Sequence, residues 1–181
     1  LDEIDKLGNA FYPEKFIISE KAHLIMFYDK IMDSVNENSA QIGTTGRGIG
    51  PSYANKISRR GIRMHDLLDA EALKKKIDVN ITEIIPSLNA KVGEKALKIL
   101  LKTTSPYFYD EDKIVNKEKA IAHYLAVGVR LKRYVKDVTS QLHDAIKQKQ
   151  LVLFEGAQGT MLDIDHGTYP FVTSSNASIG G

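Results

Sequence analysis

Apolar residues recur at helical spacing through most of the chain. Leu24, Tyr28, Ile31 and Val35 share one face of a helix expected over 20–35, with Ser19 as its N-cap. Phe16-Ile17-Ile18-Ser19 reads as a short buried strand or lead-in to it. Periodicity stops over 36–50, a stretch dense in Gly, Ser, Thr and Asn, and Pro51 suits the first turn of a following helix. From 69 to 147 the pattern is helical again. Leu73, Ile77, Ile81 and Ile84 make one stripe, expected to end at Pro86. A shorter helix is expected over 91–102, on Val92, Ala96 and Leu100. An acidic loop with Pro106 fills 103–115. Asn116 then caps a long helix whose apolar face runs through Tyr124, Val127, Leu131, Val135, Val138, Leu142 and Ile146, read as core-facing. Leu151-Val152-Leu153-Phe154 is a continuous apolar run and predicts a buried strand, followed by a polar, turn-rich stretch to 181.

The composition suits a globular chain: 43% hydrophobic, 27% charged, net charge +2. So small a net charge points to neither a nucleic-acid nor a membrane partner. Cysteine is absent, which excludes disulfides and thiolate metal sites and fits a cytoplasmic location. Neither a membrane-length apolar run nor a basic-then-apolar leader is present. The first residue is Leu1 and the last are Ile179-Gly180-Gly181, so the chain reads as an internal piece of a longer protein. Lys74-Lys75-Lys76 reads as a solvated helix face.

Four stretches carry candidate chemistry. Gly43-Thr44-Thr45-Gly46-Arg47-Gly48-Ile49-Gly50-Pro51 combines glycines, hydroxyls and a helix N-terminus, the materials of an anion site, or of a plain flexible loop. It is neither a Walker loop nor the dinucleotide fingerprint. Beyond it Ser52, Lys56, Arg59 and Arg63 fall at helical spacing, so a basic face would grip phosphate oxygens or hold acids of its own fold. Glu155-Gly156-Ala157-Gln158-Gly159-Thr160 leaves the predicted strand at its carboxyl end, where open α/β sheets place ligands. There Gln158 reads a purine edge or is a satisfied loop amide. Asp163, Asp165 and His166 suit a hard metal or a turn. Thr173-Ser174-Ser175-Asn176 suits phosphate oxygens or a hydroxyl turn.

Two of these stretches resemble a known family. Gly48-Ile49-Gly50-Pro51-Ser52-Tyr53-Ala54-Asn55-Lys56-Ile57-Ser58-Arg59 matches the adenylosuccinate synthetase pattern Gly-Ile-Gly-Pro-x-Tyr-x-x-Lys-x-x-Arg at each fixed position. Phe154-Glu155-Gly156-Ala157-Gln158-Gly159 and the run from Asp163 to Asn176 match a second block, in the same order and at a similar separation. The resemblance covers the whole chain, most loosely in its middle third. It implies an α/β fold: a fragment of a P-loop-NTPase-like enzyme with a large, mainly parallel sheet, this slice mostly helical with one or two strands. Residues 1–181 would be one internal segment: an IMP-phosphate loop and basic helix (36–65), a helical insert (66–150), and a strand with an IMP-binding loop (151–181).

The family joins inosine monophosphate (IMP) and L-aspartate, with GTP and magnesium, through a 6-phosphoryl-IMP intermediate. By resemblance Thr45 and Thr173 would bind the IMP phosphate. Gln158 and Leu162 would meet IMP near the purine, and Lys56 would be an active-site lysine. Arg59 would reach the phosphate of the neighbouring subunit in a homodimer. Asp163, Asp165 and His166 would be loop scaffolding, with no metal ligand in this slice. The family's Gly-Asp-Glu-Gly-Lys-Gly-Lys phosphate loop and its catalytic Asp and His are absent from the sequence, so this slice is expected to be inactive alone, with GTP and magnesium held elsewhere. Phe27-Tyr28-Asp29 stands where Pro-Tyr-His is frequent, and Ile179 where a small Ala is common. The alternative reading is a non-catalytic nucleotide- or phosphate-binding module on the same scaffold. A phosphate loop in the upstream sequence would separate the two.

Overall fold

The structure, a computed structural model, describes residues 2–8, 13–40 and 43–178. It is mostly helical, with helices α1 (Asp2–Leu7), α2 (Phe27–Ala40), α3 (Ile49–Ile57), α4 (Ala70–Val92), α5 (Glu94–Thr104), α6 (Lys117–Leu131) and α7 (Val138–Lys147). Its strands are two residues each: β1 (Ile18–Ser19), β2 (Tyr109–Asp110), β3 (Ile114–Val115) and β4 (Val135–Lys136). β1 pairs with β4 in parallel, and β2 with β3 as a hairpin. Among the described residues, no helix is long and apolar enough to cross a membrane.

The core is where α2, α4, α5 and α6 meet. The predicted stripe of α4 faces it: Leu73, Ile77, Ile81 and Ile84 are all buried. α4 does not end at Pro86, however. It runs on to Val92 because Ile85 and Leu88 also enter the core, and this burial outweighs the one hydrogen bond that proline removes. Gly93, at φ 80°, ends it. α5 then starts afresh, which resets the helical phase: Leu97 and Leu101 are buried rather than Val92, Ala96 and Leu100.

Three further expectations give way to tertiary pairing. Residues 20–24 are not helical, because their backbone runs against 62–65: Leu24 N–H donates to Ile62 O, Met64 N–H to Ala22 O and His65 N–H to Glu20 O. α2 begins only where Asp29 Oδ2 accepts the Met26 N–H at 2.8 Å, half of a capping box, and it continues to Ala40. Asn116 caps α6 as predicted, accepting the Lys119 N–H at 2.9 Å. The long helix breaks at 132–137, where β4 joins β1, Tyr134 is buried and Asp137 caps α7 through the N–H groups of Thr139 and Ser140. The stretch 151–154 is not a strand. Among the described residues it has no partner strand, and Leu151, Leu153 and Phe154 are 103%, 90% and 75% exposed. An unpaired apolar strand would leave its N–H and C=O groups without a ladder, and the segment has no regular secondary structure.

Candidate functional site

The glycine loop between α2 and α3 is fixed at both ends and open in the middle. Gly43, Gly46 and Gly48 take φ values of 87°, 64° and 83°, a left-handed series that side chains resist. At Gly48 the space is closed as well, since a Cβ would lie 2.9 Å from backbone atoms of Asp29 and Lys30. Asp33 Oδ2 accepts the Gly48 N–H at 2.8 Å, Glu37 Oε1 the Gly43 N–H at 2.9 Å, and Thr44 Oγ1 the Gly46 N–H at 2.8 Å. Among the described residues the N–H groups of Thr44, Thr45 and Arg47 hold no hydrogen bond. The first turn of α3 follows at once, with its own unpaired donors. Pro51 lies in that turn, as predicted.

The second loop has no sheet to lean on and is organised by one carboxylate. Asp163 is fully buried. Its Oδ1 accepts the N–H groups of Asp165 and His166 at 2.9 and 3.0 Å, and its Oδ2 those of Ala177 and Ser178 at 2.6 and 3.0 Å. These donors, the Ser178 N–H foremost, hold the Asp163 carboxyl well below the usual carboxylate range despite its burial. Asn176 Nδ2 bridges to Asp165 Oδ2 at 2.7 Å, and the Thr173 N–H donates to Leu162 O at 2.9 Å. With its oxygens committed to backbone donors, Asp163 acts as scaffolding for the loop.

The two loops meet at the start of α3. A Cβ on Gly50 would sit 3.2 Å from Ser174 Oγ. Between them lies a cleft of about 620 Å³, a size suited to a small ligand. Thr45, Gln158, Leu162 and Thr173 all line it, joined by Phe171 and Asp33. Four of the six residues singled out from the sequence thus share one cavity. Lys56 and Arg59 do not line it. Both are exposed, Lys56 with its Nζ 5.4 Å from the centroid of the Tyr53 ring. The single basic helix face is corrected too. α3 ends at Ile57, so Arg59 and Arg63 lie beyond it. Ser52 is buried and its hydroxyl donates to Leu24 O at 3.3 Å, while Arg63 Nε donates to His23 Nε2 at 3.2 Å. Burial, then Arg63, Lys56 and Lys76, push the His23 pKa down, which keeps the ring a neutral acceptor.

Asp33 and Glu37 were missed by sequence reasoning. Their signal is two acids one helical turn apart, just before a glycine loop. Asp29 is also part of the frame. It is buried, bonded by the Met26 N–H and by Asn55 Nδ2, each at 2.8 Å, and burial raises its pKa to about 6. The departure at Asp29 therefore ties α2 to α3 beneath the loop. The departure at Ile179 lies outside the described residues.

A profile of the family described as adenylosuccinate synthetase matches residues 1–181. The adenylosuccinate synthetase of Syntrophobacter fumaroxidans is 44% identical over 184 residues, covering 98% of this chain and 39% of the relative. That of Clostridium kluyveri is 39% identical over 184 residues, covering 100% of this chain and 39% of the relative. The solved structure titled as the fully ligated adenylosuccinate synthetase from Plasmodium falciparum superimposes with a TM-score of 0.74 at 33% identity, over 99% of this chain and 38% of that one. This chain thus spans about 39% of the length of the curated relatives it matches. The likeness identifies the fold as part of an α/β enzyme, here mostly helical with few and short strands. The match leaves no stretch of the sequence outside it, both cleft-building loops included, and the chain belongs to the adenylosuccinate synthetase family.

Proposed function

We propose that this chain supplies the IMP-holding part of a purine-biosynthetic ligase, which joins IMP and L-aspartate with GTP to give adenylosuccinate, GDP and phosphate. The observation that carries the reading is the convergence of Thr45, Gln158, Leu162 and Thr173, from two motifs far apart in sequence, on one cleft. The free N–H groups of Thr44, Thr45 and Arg47 and the first turn of α3 suit a phosphate dianion. The Thr45 and Thr173 hydroxyls add donors from opposite walls. Gln158 can donate to and accept from a purine edge, and Leu162 and Phe171 give the ring an apolar surface.

In this reading the γ-phosphoryl group of GTP passes to the C6 oxygen of IMP. The amine of aspartate then attacks C6 and the phosphate leaves with that oxygen. This chain's residues bind and orient IMP for both steps. Magnesium would supply charge neutralisation for the phosphoryl transfer, and it and GTP would be held by parts of the enzyme other than the described residues. Asp163, the one fully buried carboxylate of the second loop, is taken up by backbone donors and does not fit a magnesium ligand. Arg59 is exposed and away from the cleft, which supports its reaching the phosphate of a neighbouring subunit in a homodimer. Lys56 is assigned to the active site on its motif position. A cytoplasmic enzyme without nucleic-acid or membrane partners fits the near-neutral charge.

The test is calorimetric titration of the full-length protein with IMP and with inosine. IMP should bind at least about tenfold more tightly, since several charge-assisted hydrogen bonds hold the phosphate. Equal affinity for the two would sink the reading of the glycine loop as a phosphate cradle.

A further inference from the structure

We infer that Asp33 and Glu37 are positioning residues that stretch the glycine loop between two carboxylates, so that its central N–H groups stay free for a phosphate. The inference deepens the reading of the cleft as an IMP site and rests on it. The two acids stand one turn apart on α2, and each takes one end of the loop: Glu37 the Gly43 N–H, Asp33 the Gly48 N–H. Asp33 is 6% exposed and Gly48 is buried, so their bond is shielded from water and, being charge-assisted, is among the stronger ones a loop can have.

The choice of partners carries the argument. A negative carboxylate beside an anion site is electrostatically unfavourable, and a loop needing only rigidity could be tied by neutral groups. Here the carboxylates act on the two ends, while Thr44 Oγ1 occupies the Gly46 N–H between them. What remains uncommitted is the set Thr44, Thr45 and Arg47, next to the donors of the α3 first turn. Removing the Asp33 carboxylate would leave the buried Gly48 N–H without an acceptor and let the loop relax out of its left-handed series. Neither residue needs to touch the ligand to matter. Each acts through the backbone it holds.

Three variants of the full-length protein test this: Asp33→Ala, Asp33→Asn and Glu37→Ala. Asp33→Asn keeps an acceptor oxygen for the Gly48 N–H while removing the charge. IMP and inosine are titrated into each, and amide hydrogen exchange is followed on peptides covering 43–50 and, as a control, α4. Asp33→Ala should weaken IMP by about tenfold or more and leave inosine within about threefold, the loss of one charge-assisted bond expressed only through the phosphate. Exchange over 43–50 should accelerate by a similar factor, with α4 unchanged. Asp33→Asn, which keeps an acceptor but not the charge, should recover part of that loss, binding IMP more tightly than Asp33→Ala and more weakly than the parent. Glu37→Ala, at the more exposed end, should show the same selectivity with a smaller loss. Equal weakening of IMP and inosine would mean a general structural role and overturn the inference. So would an Asp33→Asn variant as weak as Asp33→Ala, or unchanged exchange over 43–50. If the parent protein itself binds IMP no better than inosine, the phosphate reading falls. The clamp is then decided by exchange alone: acceleration confined to 43–50 upholds it, and its absence removes it.

Discussion

Arg59→Gly should make the protein more stable and a weaker IMP binder at once. Arg59 follows Ser58, the C-cap of α3, and takes φ 63°. Around it the helix closes: the Ser58 N–H donates to Ala54 O, the Arg59 N–H to Lys56 O, and the Arg60 and Gly61 N–H groups both to Asn55 O at 2.9 Å. This is the left-handed turn after a helix that glycine usually fills, since an L side chain there costs about 1–2 kcal/mol. Glycine's greater freedom in the unfolded chain returns about 0.5–1 kcal/mol of that, leaving a gain near 1 kcal/mol. Among the described residues the Arg59 side chain makes no hydrogen bond or ion pair, so its removal sets nothing against the gain. A rise of roughly 1–2 °C in melting temperature is expected, since the relatives this chain matches are more than twice its length and the shift per kcal/mol shrinks with size. In the proposed dimer the same change removes a guanidinium–phosphate contact, and IMP affinity should fall by tenfold or more. Arg59→Ala separates the two effects: it keeps the left-handed strain, so its stability should match the parent while its affinity drops with the glycine variant. Scanning calorimetry and IMP titration on the three proteins suffice. A glycine variant that melts lower would refute the strain argument, and one that binds IMP like the parent would refute the role of the side chain.

Other perturbations probe the frame. Gly48→Ala forces a Cβ to 2.9 Å from the backbone of α2 at φ 83°, and should lose about 2 kcal/mol or more of stability, read as a lower urea midpoint. Asp29 is raised from 3.8 to about 6 by burial, so its folded form favours the proton; its contribution is fully present below about pH 4 and is lost as pH rises through 6, an effect of up to about 3 kcal/mol. Asp29→Asn, with Asn55 free to turn its amide oxygen toward it, should flatten that decline, and urea midpoints at pH 4, 6 and 8 that fall as steeply as the parent's would contradict it. Asp163 has the opposite sign: its carboxyl lies well below the usual range, so its contribution holds at neutral pH and is lost only as pH falls through its own low pKa. Asp163→Ala should expose 155–178 to limited proteolysis at neutral pH while α2 and α4 stay protected.

Much of the site was legible because it depends on residue type within short segments. The glycines, two threonines and a following Pro51 marked the run as an anion site or a plain flexible loop, and the left-handed φ values of Gly43, Gly46 and Gly48 show why glycine is needed there. The Asn116 cap was legible for the same reason, since it needs only the three residues after it, whereas the cap expected at Ser19 is not formed because the helix starts only at Phe27. What failed depended on partners distant in sequence. The apolar period through Val135, Val138 and Leu142 is real, yet β1, more than a hundred residues earlier, claims Val135 and Lys136 for a parallel pair and breaks the helix. Residues 20–24 have a helical pattern but pair with 62–65. Asp33 and Glu37 show only a weak local mark, two acids one turn apart before a glycine loop, because their targets come into reach only when the chain folds back after α2.

The two walls of the cleft are held by different physics, and this governs how each can fail. The glycine loop is bonded to α2, whose Phe27, Tyr28, Ile31 and Val35 are buried in the core, so that wall inherits the stability of the helical body. The wall carrying Gln158, Leu162 and Thr173 follows an irregular segment in which Leu151, Leu153 and Phe154 are exposed, and its described residues contain no strand. Its cohesion comes from backbone donors gathered on Asp163, from the Thr173–Leu162 bond and from the approach of Ser174 to Gly50. A change in the core therefore reaches the glycine-loop wall through global unfolding. A change at Asp163 reaches the wall carrying Gln158, Leu162 and Thr173 by local opening, at little cost to the melting of the rest. Ligand affinity and thermal stability should consequently be coupled for substitutions behind the first wall and nearly independent for those behind the second.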